Sequence, residues 1–209
     1  MANDQGKSYG VRPLTSPSSP PQILYYRVET SATLQYFRGQ FVVVNSNGRV
    51  QPVTAVASGG QLISGVTWDF LDDNLSGPPS AMLSLTQGGF LPANTPGFAG
   101  VIYNPDQLYV MEEKSGGSAI SVNSIGTGAS FTYIATTGNT TTGWANVVVN
   151  NSGVGATTQN LLQLMGVYNI INNDGTINEP GAYCKWVVRI MRHTFTNSAI
   201  PVPQELTTA

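Results

Sequence analysis

Turn-forming clusters punctuate this chain so closely that no long helix fits between them. SGPPS, GGF, NPD, SGG, GTG, TTGNTTTG, NNSGVG and NNDG follow one another between residues 76 and 175. Glycine admits positive φ, proline fixes φ and removes a donor, and Asn and Asp close local turns through their own side chains. What survives between such clusters is a series of short strands at the spacing of an antiparallel β-sandwich or barrel. The fold class expected is therefore all-β.

The strands are read from apolar alternation and β-branched runs. ILYYRV (Ile23 to Val28) comes first. QFVVVNSNGRVQPVTAV then reads as a hairpin turning on Asn47 and Gly48, a pair that supplies the positive φ angles of a tight turn. From Gln61 to Phe70 the alternation predicts Leu62, Val66, Trp68 and Phe70 on one face and Ile63, Gly65, Thr67 and Asp69 on the other. Further strands are expected at Ser80 to Leu85, Gly97 to Tyr103, Gln107 to Met111, Ala119 to Val122, Ser130 to Ala135, Trp144 to Val149, Leu161 to Ile171 and Ala182 to Phe195. GATTQNLLQLMG also has helical spacing, but Val167, Tyr168, Ile170 and Ile171 continue it without a stop signal, which favours a strand. In the last strand, Ala182, Cys184, Trp186, Val188 and Ile190 share one face, and Tyr183, Lys185, Val187, Arg189, Met191 and His193 share the other.

Charge narrows the function classes. The 209 residues carry 9 Lys+Arg and 11 Asp+Glu, and charged residues make up 10% of the chain, against roughly 25% in ordinary globular proteins. So few cations disfavour nucleic-acid binding, which depends on releasing phosphate counterions. The polar surface must come from Ser, Thr, Asn, Gln and Gly, which suits strands and turns. The opening MANDQGKSYGVRP has no apolar h-region, and no run of about 20 apolar residues follows, so cytoplasmic synthesis without a membrane span is expected.

Catalytic and metal signatures are weak. One cysteine, Cys184, and one histidine, His193, cannot build a zinc cluster. Cys184 reads as a buried, inert thiol and His193 as a hydrogen-bonded imidazole on a partly exposed strand. The acidic stretch with Asp69, Asp72, Asp73 and Asn74 lacks the alternation and closing Glu of a calcium loop. Glu112 and Glu113 are adjacent, hence on opposite faces of a strand, and cannot pair as glycosidase carboxylates. No cofactor, no metal and no enzymatic activity are expected.

The chain ends read differently from its centre. Residues 1–21 hold four of the 13 prolines, and the segment is read as an extended arm before a β-domain at 22–198, with a similar tail at 199–209.

With these features in place, the sequence resembles the capsid decoration or cement proteins of tailed bacteriophages. The motifs that carry the resemblance are SYGVRPL (Ser8 to Leu14), the strand pair Tyr25 to Val50, LISGVTWDFLDD (Leu62 to Asp73) and YCKWVVRIMRHTF (Tyr183 to Phe195), in that order. The resemblance implies a homo-oligomer, a trimer being favoured over a dimer, that binds the exterior of the phage head in the virion and clamps neighbouring major capsid proteins. It places Tyr9, Val11, Arg12, Pro13 and Leu14 at the shell contact. A receptor-binding or fibre-tip β-module is the alternative; it would need an exposed aromatic groove for glycans, for which Trp144 is the candidate.

Overall fold

A computed structural model describes residues 10–15, 20–31, 33–53, 62–73, 89–155, 161–172 and 175–194. The strand expected at Ser80 to Leu85 and the tail at 199–209 lie outside the described residues. The described residues form thirteen strands: β1 (Arg12–Pro13), β2 (Ile23–Arg27), β3 (Tyr36–Phe37), β4 (Phe41–Val44), β5 (Val50–Pro52), β6 (Gly65–Asp72), β7 (Phe90–Leu91), β8 (Gly97–Ile102), β9 (Leu108–Glu112), β10 (Gly128–Asn139), β11 (Trp144–Asn150), β12 (Leu162–Val167) and β13 (Lys185–Ile190).

Two sheets face each other. One has the order β1-β9-β13-β12-β10-β11, the other β2-β8-β6-β4-β5, and β3 pairs with β7 in a short ribbon. The ladders are antiparallel and the first sheet curls into a half-barrel, so the all-β expectation stands. The main core lies between the sheets, where Phe131, Val147, Leu162, Leu164, Trp186 and Val188 of the first meet Phe41, Val66 and Ile102 of the second. Alternation sends the neighbours Val42 and Val101 to the opposite face of the five-stranded sheet, where Tyr36, Leu91, Val28 and Phe70 cover them in a second apolar cluster. That sheet therefore carries buried residues on both faces, with its edge strand β2 left largely exposed.

The curled sheet is drawn together at one end. Glu113 bridges Val149 and the Lys114 N–H donates to the Val149 carbonyl, which brings the end of β9 to β11. The start of β11 is tied instead to the segment between β3 and β4, where Arg38 bridges Trp144 and exchanges backbone hydrogen bonds with Gly143 and Ala145.

Several local expectations are corrected. The Asn47–Gly48 hairpin forms, with Val42 opposite Pro52 and Val44 opposite Val50, but Gly48 alone of the pair has positive φ. Asn45 organises the turn, its side-chain oxygen accepting from the N–H groups of Asn47 and Arg49. In β6 a bulge between Thr67 and Asp69 adds Trp68 out of step, so Trp68 packs on the main core while Phe70 enters the second cluster. The face reading fails upstream too: Leu62 is 43% exposed and Ile63 is fully buried.

Ala119 to Val122 is no strand; Val122–Ser124 is a 3-10 turn capped by the Ser121 hydroxyl. The cluster TTGNTTTG turns late, because β10 runs on to Asn139 with Gly138 flush against the Phe37 ring, where a β-carbon would collide. β12 stops at Val167, short of Ile171. β13 is shorter than Ala182 to Phe195, since Tyr183 takes a left-handed φ of 65° in the preceding turn and the residues after Ile190 leave for Ile63. Within β13 the inward set Trp186, Val188 and Ile190 is as predicted.

Candidate functional site

The segment Gly10 to Leu14 is a stave of the fold. Gly10 and Gly39, both with φ near +70°, cross at backbone contact: the Val11 N–H donates to the Gly39 carbonyl at 2.9 Å, and a β-carbon on Gly39 would stand 2.7 Å from the Val11 nitrogen. Only glycine tolerates both demands. Arg12 and Pro13 then pair with Val110 and Tyr109 of β9, and the Leu14 N–H donates to the Leu108 carbonyl. By alternation the Pro13 nitrogen faces away from β9, where its missing N–H leaves no donor unpaired.

This corrects the expected arm boundary, because residues 10–15 belong to the β-domain rather than standing apart from it. Val11 is fully buried in the main core and has no surface to offer a partner. Arg12 is exposed, its guanidinium 5.0 Å from the Trp144 ring centroid, and Trp144 meets Trp68 edge-on at 6.0 Å. Pro13 and Leu14 are half-buried. Tyr9 lies outside the described residues.

Beside β1 the outer face of the curled sheet opens into a cavity of about 510 Å³. Arg12, Leu14, Val110, Glu112 and Lys185 line it, with Tyr168, Ile170 and Ile171 as the far wall. That wall continues into a β-hairpin missed at the sequence level. Ile171 stands opposite Ile177, the Asn172 N–H donates to the Thr176 carbonyl at 2.7 Å, and the Gly175 N–H donates back to the Asn172 carbonyl. Buried Asn178 braces its base, its amide nitrogen donating to the Tyr168 and Lys185 carbonyls and its oxygen accepting from the Lys185 N–H. The signal was present as isoleucines on both sides of the NNDG turn.

The titratable groups read as catalytic candidates face inward. Glu113 is 1% exposed, and its two carboxylate oxygens accept from the Trp186 indole N–H at 2.9 Å and the Ile120 N–H at 2.8 Å. Burial holds its pKa above the usual carboxylate range, against the opposing pull of those donors. Cys184 is buried, and desolvation, reinforced by Glu113, pushes its thiol up to about 12. A thiol so poorly ionised is a weak nucleophile. His193, expected on a partly exposed face, is instead 1% exposed, bridges Ile63 and is held down at about 4 by burial. Asp69 accepts from the Tyr25 hydroxyl and Asp73 pairs with Arg27, so these acids are engaged along strands; Asn74 lies outside the described residues. Among the described residues no group of three or more His, Cys, Asp or Glu is placed to hold a metal ion, and no helix is long and apolar enough to cross a membrane.

What the arrangement offers chemically is a recessed surface lined by apolar side chains together with Arg12, Glu112 and Lys185. No protein-family model, curated protein or solved structure matches the chain.

Proposed function

We propose that the protein is a structural, non-catalytic virion component that attaches as a homo-oligomer to the exterior of a bacteriophage head and cements neighbouring major capsid proteins. The observation that supports this reading is the fixation of the family-like motif Gly10 to Leu14 in the sheet, where Arg12, Pro13 and Leu14 open on the 510 Å³ cavity. A pre-ordered contact loses little entropy on binding, and a shell that presents its sites in a fixed array multiplies each modest contact. Val11 supports the motif from inside and is not itself a contact. The fibre-tip alternative rests on Trp144, whose ring lies against Arg12 and Trp68 instead of heading an open groove.

Quantitative mass spectrometry of purified virions tests the role: hundreds of copies per head are expected, and a dozen or so would assign the protein to a fibre. Add-back to heads lacking the protein tests the surface. Arg12→Glu combined with Leu14→Asp is expected to weaken attachment at least tenfold while leaving the β spectrum in circular dichroism intact; undiminished attachment would move the contact elsewhere.

A further inference from the structure

The turn between β4 and β5 holds the one place in the chain where a backbone nitrogen can approach the preceding Asn side chain unhindered. Asn47–Gly48 is the sole Asn-Gly pair, and every other Asn precedes a residue with a side chain. A β-carbon on the following residue crowds its own nitrogen, and Gly48 has none. Both residues are exposed, and a β-carbon built on Gly48 would meet nothing within 4 Å, so water reaches this peptide freely. Among the described residues the Asn47 side-chain amide makes no hydrogen bond that would hold it away from the backbone.

We propose that Asn47 is a self-modifying site, converting to aspartate and isoaspartate, and that Asn45 sets the rate. In the first step the Gly48 nitrogen loses its proton to solvent base and bonds to Asn47 Cγ. The Cγ–Nδ2 bond breaks with release of ammonia, which leaves a five-membered cyclic imide. Water then opens the ring. Cleavage of the new Cγ–N bond gives aspartate in an unchanged backbone, whereas cleavage of the original peptide C–N bond leaves the chain running through the side chain as isoaspartate. One water is consumed and one ammonia released, with no oxidant, reductant or second protein.

The folded turn opposes the first step. The Gly48 N–H donates to the Asn45 carbonyl at 3.0 Å, so the nucleophile is engaged until the turn opens. Asn45 holds the turn shut through its side chain as well. Its oxygen accepts from the Asn47 and Arg49 N–H groups, both at 3.0 Å, and its amide nitrogen donates to Glu29 at 2.9 Å. Attack requires the reacting nitrogen and carbon at about 3–3.5 Å with orbitals aligned, so the reaction draws on the fraction of molecules in which the turn is locally open.

Either product adds a carboxylate two residues before Arg49, whose guanidinium lies 3.5 Å from Glu29. Isoaspartate also inserts a methylene into the backbone of the turn, next to β5. There Val50 pairs with Val44, bridges Val28 and accepts from the Tyr36 hydroxyl. The lengthened turn thus works against the contact that ties β5 to the end of β2.

The site is independent of the head-binding reading and is tested on the free, full-length protein by peptide mapping in mildly alkaline buffer. The Asn47 peptide is expected to gain the single dalton that replaces NH2 by OH, in two separable forms of equal mass, roughly tenfold faster than any other Asn peptide. Asn47→Ser, at an exposed position, is expected to abolish the gain and leave the melting temperature unchanged. Wild type is expected to convert more slowly folded than in denaturant. Asn45→Ala, which removes the brace, is expected to convert roughly tenfold faster than wild type when folded, through the loss of its hydrogen bonds, and at the wild-type rate in denaturant. An Asn47 peptide that gains no mass, or converts no faster than the other Asn peptides, overturns the site. A folded Asn45→Ala variant with an unchanged rate overturns the brake. So does a folded wild type that converts as fast as the denatured chain, a comparison that decides the matter even where the Asn45→Ala variant fails to fold.

Discussion

At the scale of single residues, the buried ionisable groups set how the fold responds to acid. His193 is depressed to about 4 from an ordinary 6.5. Between those values the unfolded chain takes up a proton that the folded chain refuses, so the stability contributed by the neutral imidazole is present above pH 6.5 and is lost as pH falls towards 4. Glu113 has the opposite sign, because its folded pKa is raised. Its contribution is complete below the unfolded carboxylate pKa and declines as pH rises through the folded value. Chemical denaturation of the His193→Gln variant between pH 4 and 7 is expected to show the acid-side loss much reduced. An unchanged slope would place the acid sensitivity elsewhere. Glu113→Gln replaces an acceptor oxygen with a donor facing an N–H, costing about 1–3 kcal/mol, and the wild type's advantage over it should shrink as pH rises. The inward face of Cys184 was legible from strand alternation; the burial of His193 was not, because the chain leaves β12 for Ile63 just after Ile190, and alternation carries no information about a change of partner.

At the scale of elements, the crossing of Gly10 and Gly39 decides whether β1 can seat. Gly39→Ala places a β-carbon against the Val11 backbone and forces a positive φ on an L-residue, and it is expected to cost about 2 kcal/mol or more. Val11→Ala removes buried methyl groups from the core and is expected to cost a similar ~2 kcal/mol. Thermal melts of both variants check the pair. Removal of residues 1–15 should destabilise the whole domain for the same reason. A melting temperature unchanged by that deletion would show β1 to be dispensable. The sequence made the prolines of this region look like a detachable arm because proline denies the backbone donors. One short pairing with β9 needs few donors, and the residue that commits the segment to the core is Val11, an isolated valine with no periodic neighbours to reveal it. Hairpins and strand types were legible wherever turn residues and alternation agreed. The bulge at Trp68 and the continuation of β10 through Gly138 were not, since each answers to a distant partner.

At the scale of the whole molecule, the scarcity of charge predicts that the proposed attachment to heads is nearly indifferent to salt. Twenty charged residues serve the entire chain, and exposed ion pairs contribute little and are screened within about 8 Å at physiological ionic strength. Occupancy measured near 0.05 M and near 1 M salt is expected to differ by less than about threefold, whereas a loss of most copies at high salt would reveal an ionic interface. The all-β class, as a sandwich or a barrel, could be read from composition and turn spacing alone. The ties that close it could not, because the bridges at Glu113–Val149 and Arg38–Trp144 join positions dozens of residues apart through single contacts.

The pairing of β1 with β9 also carries a mechanical meaning. A pull along the N-terminal strand loads its hydrogen bonds to β9 in shear, so they resist together instead of opening one after another. β9 is bonded in turn to β13 through five register pairs, Lys185 with Glu112 to Arg189 with Leu108. Strain entering at Arg12 therefore passes through β9 into β13, in the middle of the curled sheet.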